Sequence, residues 1–518
     1  MDATDSASAG KTQLLKKTLY IILAALGLGI AFDYLFFEKV PGISFPIYMS
    51  LVVMAIACMA AFFKTKIPKS AAALAVPLLF FSSMVFVWSG GLITFLNVIT
   101  SMYLLGLMLY LIFKPGLSRY ALFDYIRPIF QLPLQLLVRC METIAGLAGI
   151  KHLFGKHTMM PQVITGVLIA VPVIALFIAL FASADLVFRK YVGDIFTLHL
   201  SDEFYGQTFI VLMVTLFFIG VFGYLMRRPG ALKIGETVVP ESAKPSKSRG
   251  QIEMAILFGS LNLLFLCFIV VQLTYLFGGQ HNITGQGFTY AEYARKGYFE
   301  LIAVAAISFL LIYATDKLLL RKGESHTPRF KFLAGALIAQ VIVIMVSAFN
   351  RLSLYESAYG YTSLRLYAHI GLVWLAVIFA ILLYKIFVDQ RESKFALLAF
   401  VSVLTLLAFV NVVNVDKFVA HQNITRYHAT GKLDTYYLAQ LSTDATPETV
   451  KLLDVQDKTA REGWASVLFQ KRMVLQNAEK PWQSTNLSRN RALHTLNSHI
   501  EYLEENRNAP RGAATYTE

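Results

Sequence analysis

Phe288-Thr-Tyr-Ala-Glu-Tyr-Ala-Arg-Lys-Gly-Tyr-Phe-Glu300 runs without a break into Leu301-Ile-Ala-Val-Ala-Ala-Ile-Ser-Phe-Leu-Leu-Ile312. The second part is an apolar run and the first delivers charge to its mouth. Glu292, Lys296 and Glu300 are spaced four and four, which places them along one side of a helix with the lysine between the acids. Glu300 stands at the apolar boundary, where a carboxylate costs a few kcal/mol unless it is paired, hydrated or protonated. The stretch therefore predicts a membrane helix with a polar, ionisable entrance.

The rest of the chain has the same character. Of 518 residues, 56% are hydrophobic and only 15% charged, too few polar groups to cover the surface of a soluble protein of this size. Eleven apolar runs are long enough to span a bilayer, at about 15–36, 46–63, 71–88, 92–113, 162–183, 207–226, 252–277, 299–316, 331–350, 367–388 and 395–414. They lack the alternation of strands, and an open sheet cannot sit in lipid. The fold class expected is all-α, a polytopic helical bundle with a small helical extramembrane domain at the C-terminus. The first run follows Lys11, Lys16 and Lys17 but is too long for a signal peptide and is read as an uncleaved first span.

Net charge is +14. In a polytopic protein this points to basic loops held on the cytoplasmic side, and not to nucleic acid. With the N-terminus inside and spans alternating, inside segments hold 26 of the 46 basic residues and outside loops seven; the other 13 lie after the last span. An odd span number then leaves the C-terminal region outside. The three cysteines, Cys58, Cys140 and Cys267, supply no disulfide framework or zinc motif. His421 and His428 lack a third partner, so neither metal nor cofactor is expected.

Six segments follow: a cytoplasmic start at 1–14, a membrane half at 15–226, a basic linker at 227–250, a second membrane half at 251–414, an extracytoplasmic helical domain at 415–507 and a disordered end at 508–518. Residues 120–150 are moderately apolar, with Pro128 and Pro133, and read as an interfacial helix pair. The linker contains Pro229, Pro240 and Pro245 among lysines and serines. In the C-terminal domain, Pro447 and Glu448 mark a helix start. Asn97, Asn262 and Gln272 inside the spans read as interhelical hydrogen-bonding groups.

The motif 289–301 resembles one in a family of bacterial polytopic membrane proteins known only as a domain of unknown function, forty-one fifty-three, related to forty-one seventy-three. The resemblance continues through Arg351-Leu-Ser-Leu-Tyr-Glu-Ser-Ala-Tyr-Gly-Tyr-Thr-Ser-Leu-Arg365, Asn414-Val-Asp-Lys417, Asn423 and Leu433-Asp-Thr-Tyr-Tyr-Leu-Ala-Gln-Leu-Ser-Thr-Asp-Ala445. It covers about 288–447, with only Asp33-Tyr-Leu-Phe36 in the first half. It implies the architecture and a bacterial inner-membrane location, and it carries no activity.

On the alternating topology, Asp33, Glu292, Arg295, Glu300, Asn350, Arg351, Glu356, Arg365, His369, Asn414 and Asp416 converge on one outer layer. Three roles suit this crown: ion pairs that lock helices together, a site for a lipid headgroup or lipid-linked ligand, and catalysis by two carboxylates in unlike environments. The arginines suit phosphate or carboxylate. Whether the protein is an enzyme stays open, since no catalytic set is readable. The leading expectation is an envelope scaffold or sensor meeting a protein partner through 415–507. The alternatives are a transporter or flippase for an amphiphile, and an outer-leaflet transferase using a lipid-linked donor.

Overall fold

The computed structural model describes residues 3–147, 202–226, 249–277, 298–321, 327–478 and 481–510. Among the described residues all regular structure is helical, with no strand, and nine helical segments are long and apolar enough to cross a membrane. The chain is a multi-pass membrane protein with an all-α fold.

The first bundle contains α1 (Ala3–Phe36), α2 (Ser44–Phe62), α3 (Lys69–Ala73), α4 (Ala75–Val87), α5 (Gly91–Phe113), α6 (Leu122–Leu147) and α7 (Asp202–Met226). The expected span 71–88 is broken at Leu74, because Pro77 has no N–H to offer the Ala73 carbonyl. The expected run 162–183 lies outside the described residues. Val52, Leu78, Leu107 and Phe222 fill the core of this bundle.

The second bundle is built from α8 (Arg249–Phe277), α9 (Tyr298–Arg321), α10 (Pro328–Tyr359) and α11 (Ser363–Phe387) around Phe258, Phe330, Leu337 and Phe379. α9 matches the expected run 299–316 but carries Glu300, Asp316 and Lys317, so apolarity alone does not mark it as a span. α10 starts at an N-cap, with Thr327 accepting from Phe330 N–H and Pro328 in the first turn. It runs nine residues past the expected end, as far as Gly360. α12 (Glu392–Val413) joins the two bundles, with Ala396 in the first core and Phe395 in the second.

Where the sequence predicts a helix pair at 120–150, α6 continues through both prolines. Tertiary packing holds it against α7: a Cβ on Gly220 would lie 2.5 Å from the Leu136 carbonyl oxygen, and one on Gly223 2.2 Å from Thr143 Oγ1. Small residues let the backbones approach this closely. Its other face leaves Phe123, Ile126, Phe130, Leu134, Leu137 and Met141 exposed, an apolar stripe suited to lipid.

The C-terminal region forms a helical cap: α13 (Val415–Thr430), α14 (Thr435–Gln440), α15 (Thr446–Thr449), α16 (Lys458–Asn477), α17 (Leu487–Asn497) and α18 (Ile500–Glu505). Its core of Val419, Leu438, Trp464, Leu468 and Leu496 continues into Ile93 and Val410 at the ends of α5 and α12. The cap is thus seated on the bundle. It touches the loop before α2 (Ile43 N–H to Thr485 O, 2.9 Å), the loop before α5 (Asn486 Nδ2 to Trp88 O, 2.8 Å) and the loop before α11 (Asn423 Nδ2 to Tyr361 O, 2.8 Å). These loops and the cap share one face.

Candidate functional site

At the centre of the capped face two carboxylates meet the bundle. Asp444 precedes α15. Its Oδ1 accepts from Ser89 N–H (2.9 Å) and Ser89 Oγ–H (2.8 Å), and its Oδ2 from Gly90 N–H (3.1 Å). Those backbone donors belong to the turn that opens α5, where helix geometry leaves N–H groups without internal partners. Asp416, in the first turn of α13, accepts from Ser363 Oγ–H at Oδ1 (2.8 Å) and from Ser442 N–H at Oδ2 (3.2 Å). The two aspartates flank a cavity of about 160 Å³, also lined by Asn414, Ser363 and Tyr367.

Asn414 joins α12 to α13. Its φ is +49°, and its Oδ1 accepts from Lys417 N–H as the cap of α13. The amide is 2% exposed, and its Nδ2 has no hydrogen-bond partner among the described residues. Lys471, on α16, donates to the Leu441 and Ser442 carbonyls. Burial pushes its ammonium down to about 8, against the opposing pull of Asp416 and Asp444. Elsewhere on the cap, burial works to raise the Glu448 carboxyl, but Lys451 and His421 outweigh it and hold the group below the usual glutamate range.

The expected crown divides. Asn414 and Asp416 line the cavity. Arg351 is buried and donates from Nη2 to Gln272 Oε1 (2.9 Å), which also accepts from Ser347. Glu356 and His369 form a second buried pair, Oε2 to Nδ1 at 3.4 Å, with Ser353 Oγ 3.2 Å from the other ring nitrogen. Arg365 lies over the Tyr355 ring at 4.0 Å and donates to the Gly360 carbonyl. Asp33 is half-buried near the end of α1, with Oδ1 lacking a hydrogen-bond partner among the described residues. Glu300 and Asn350 are exposed and join none of these contacts. Glu292 and Arg295 lie outside the described residues.

Sequence reasoning missed Asp444, although the quoted motif 433–445 contains it. It also missed a charge cluster at the opposite end of the bundle. Lys385, in the last turn of α11, lies 2.5 Å from Asp316 Oδ2 on α9 and also pairs with Glu392 in the first turn of α12. Tyr313 donates to Glu392, and Lys317 is 3.9 Å from it. Lys385 at a helix C-terminus and Glu392 at an N-terminus suit their ends, whereas Asp316 lies near the C-terminal end of α9 and depends on Lys385 for its charge.

The polar groups inside the spans act between helices. Asn97 on α5 and Asn411 on α12 exchange hydrogen bonds of 2.8 and 2.9 Å. Asn262 donates across to the Leu333 carbonyl (3.1 Å). One turn inward from the asparagine pair, an apolar cleft of about 400 Å³ separates the bundles, lined by Tyr103, Tyr125, Phe309, Trp374, Phe395 and Phe400.

Compared with known families, residues 51–452 match the one described as domain of unknown function (DUF4153). No curated protein and no solved structure matches the chain.

Proposed function

The chain belongs to the DUF4153 family, and on that premise we propose that it is a bacterial inner-membrane protein serving as an envelope scaffold or sensor. Its N-terminus lies in the cytoplasm and its cap outside. The observation that carries the reading is the triple acceptance of Ser89 and Gly90 donors by Asp444. A carboxylate that satisfies a span-opening turn fixes the cap to the bundle, and Asp416 of the polar crown adds a second tie through Ser363 at the start of α11. The cap's outer surface is left for a partner, with Tyr436 and Val474 each 72% exposed. The orientation rests on the 26 to 7 distribution of basic residues.

The test has two parts. Val474→Cys, in a background where Cys58, Cys140 and Cys267 are serine, is expected to react with a membrane-impermeant maleimide in cells whose outer membrane alone has been opened. Labelling only after lysis would overturn the orientation. A photo-crosslinking residue at position 436 is expected to give one defined envelope-protein adduct that Asp444→Ala removes. The absence of an adduct at both 436 and 474 would sink the scaffold reading.

One observation favours a second reading, a transporter or flippase for an amphiphile. The apolar cleft lies where the two bundles part and could take an acyl chain. Proteoliposomes that move no labelled lipid across a broad panel would remove it. The outer-leaflet transferase draws no such support, since Glu300 is exposed and stands apart from the paired acids.

A further inference from the structure

We propose that the cavity between Asp416 and Asp444 binds the ammonium-bearing head of a membrane lipid, with a primary amine between the carboxylates and an adjacent oxygen on Asn414. This rests on the sensor reading above and gives that sensor its ligand class.

The first argument is charge. A Cβ built on Gly90 would lie 3.5 Å from Asp416 Oδ2 and 3.5 Å from Asp444 Oδ2. The two oxygens therefore face each other across the bare glycine, within twice that distance. Each carboxylate offers about four acceptor positions; the hydrogen bonds named above use two on Asp416 and three on Asp444. Lys471, which feels both carboxylates, donates instead to two backbone carbonyls. The gap keeps acceptors of excess negative charge and suits a compact cationic donor.

The second argument is independent. Asn414 lines the same cavity, is almost wholly buried, and has an Nδ2 donor without a partner, its oxygen being committed to the α13 cap. A bare metal ion would leave that donor unmet, whereas a ligand with an ammonium and a nearby oxygen meets both ends. About 160 Å³ is room for a few small groups. Apart from Ser363 and Tyr367, the remaining walls are apolar. Leu92 and Leu364, at the first turns of α5 and α11, are 51% and 68% exposed beside the opening, where an alkyl chain would leave. The arginines that suggested a phosphate site from sequence are engaged elsewhere, Arg351 with Gln272 and Arg365 with Gly360 and Tyr355.

The test is native mass spectrometry of the full-length protein in detergent, titrated with dioleoyl phosphatidylethanolamine, phosphatidylcholine or phosphatidylglycerol. The ethanolamine lipid is expected to bind roughly tenfold more tightly than the other two, the scale of a charge-assisted hydrogen bond. Gly90→Ala should remove that preference. Gly90 has φ −59°, which alanine adopts freely, and the new methyl would occupy the gap. Asp416→Asn should remove it too. Displacement by soluble phosphoethanolamine would support the site with the head alone as ligand; no displacement would support it with the acyl chains required. Equal binding of all three lipids, or an ethanolamine preference intact in a folded Gly90→Ala protein, would overturn the proposal. Head-group selectivity in vitro is separate from adducts in cells, so the scaffold reading and this one fail on different results.

Discussion

The Lys385 ammonium lies 2.5 Å from the Asp316 carboxylate, with the lysine 1% and the aspartate 0% exposed. A pair this deep is strongly coupled, because removing one partner leaves the other charged and unsolvated. Lys385→Met is expected to destabilise the protein by about 3–5 kcal/mol. Adding Asp316→Leu should recover at least half of that loss, since Glu392 keeps Tyr313 and Lys317. Thermal unfolding in detergent compares the two variants. A single variant as stable as wild type would mean that the pair contributes nothing.

Cap seating can be tested at Asp444. Replacing it with alanine strands the Ser89 and Gly90 N–H groups, and bonds to a charged acceptor contribute about 1.5–3 kcal/mol. Hydrogen exchange should accelerate across 435–454 and 486–490 while the second bundle keeps its protection. Unchanged exchange in the cap would show that apolar packing alone holds it.

Asn97 and Asn411 invite a double-mutant cycle. Either leucine substitution alone leaves a buried amide without its partner on the other helix, whereas the two together restore an apolar contact. The expected coupling is about 1 kcal/mol, in keeping with hydrogen bonds between membrane helices. Additive losses would show that the amides do not interact.

Lys471 gives the cap a pH dependence of defined sign. Its folded pKa, pushed down to about 8 by burial, lies below the ordinary lysine value of 10.5. Between these values the unfolded chain binds more protons, so this group's contribution to stability rises with pH across that window. Lys471→Met should flatten that part of the profile, as measured by urea unfolding between pH 7.5 and 10.5. Glu448 acts at the other end: its carboxyl is held low, so its stabilisation is present above the usual glutamate range and lost as pH falls through the folded value.

Gly360 closes α10 at φ +88°, a conformation that disfavours other residues, and a Cβ there would lie 2.9 Å from Asn423 Oδ1. Gly360→Ala is expected to cost about 1–3 kcal/mol and to loosen the bond between Asn423 and Tyr361, visible as faster exchange at Tyr361. A variant with unaltered melting would show that the turn relaxes freely.

The spans were legible because lipid demands about twenty apolar residues in a row. The run 92–113 returns as Gly91–Phe113, and 395–414 as Glu392–Val413. α10 outran its apolar stretch because Arg351 and Glu356 find Gln272 and His369, partners on other helices that hydropathy does not count. The crown was legible as a layer but not in its pairings. Asp416 stood out beside a span, whereas Asp444, 28 residues further on, resembled an ordinary turn residue until its bond to Ser89 could be seen. Lys385 looked like one more inside lysine. Its partner Asp316 is 69 residues away, a separation that no local pattern reveals.

The reciprocal asparagine pair also bears on how the protein is made. Asn97 and Asn411 are separated by 314 residues. At about 5–20 residues per second of synthesis, roughly a quarter of a minute to a minute passes before the second amide leaves the ribosome. Throughout that interval α5 waits with a polar group that, among the described residues, α12 satisfies. The first bundle is thus an unfinished surface during translation, open to quality-control proteases or to an insertion chaperone, and the arrival of α12 closes it. A truncation before α12 should therefore shorten the half-life of the whole N-terminal bundle in the cell.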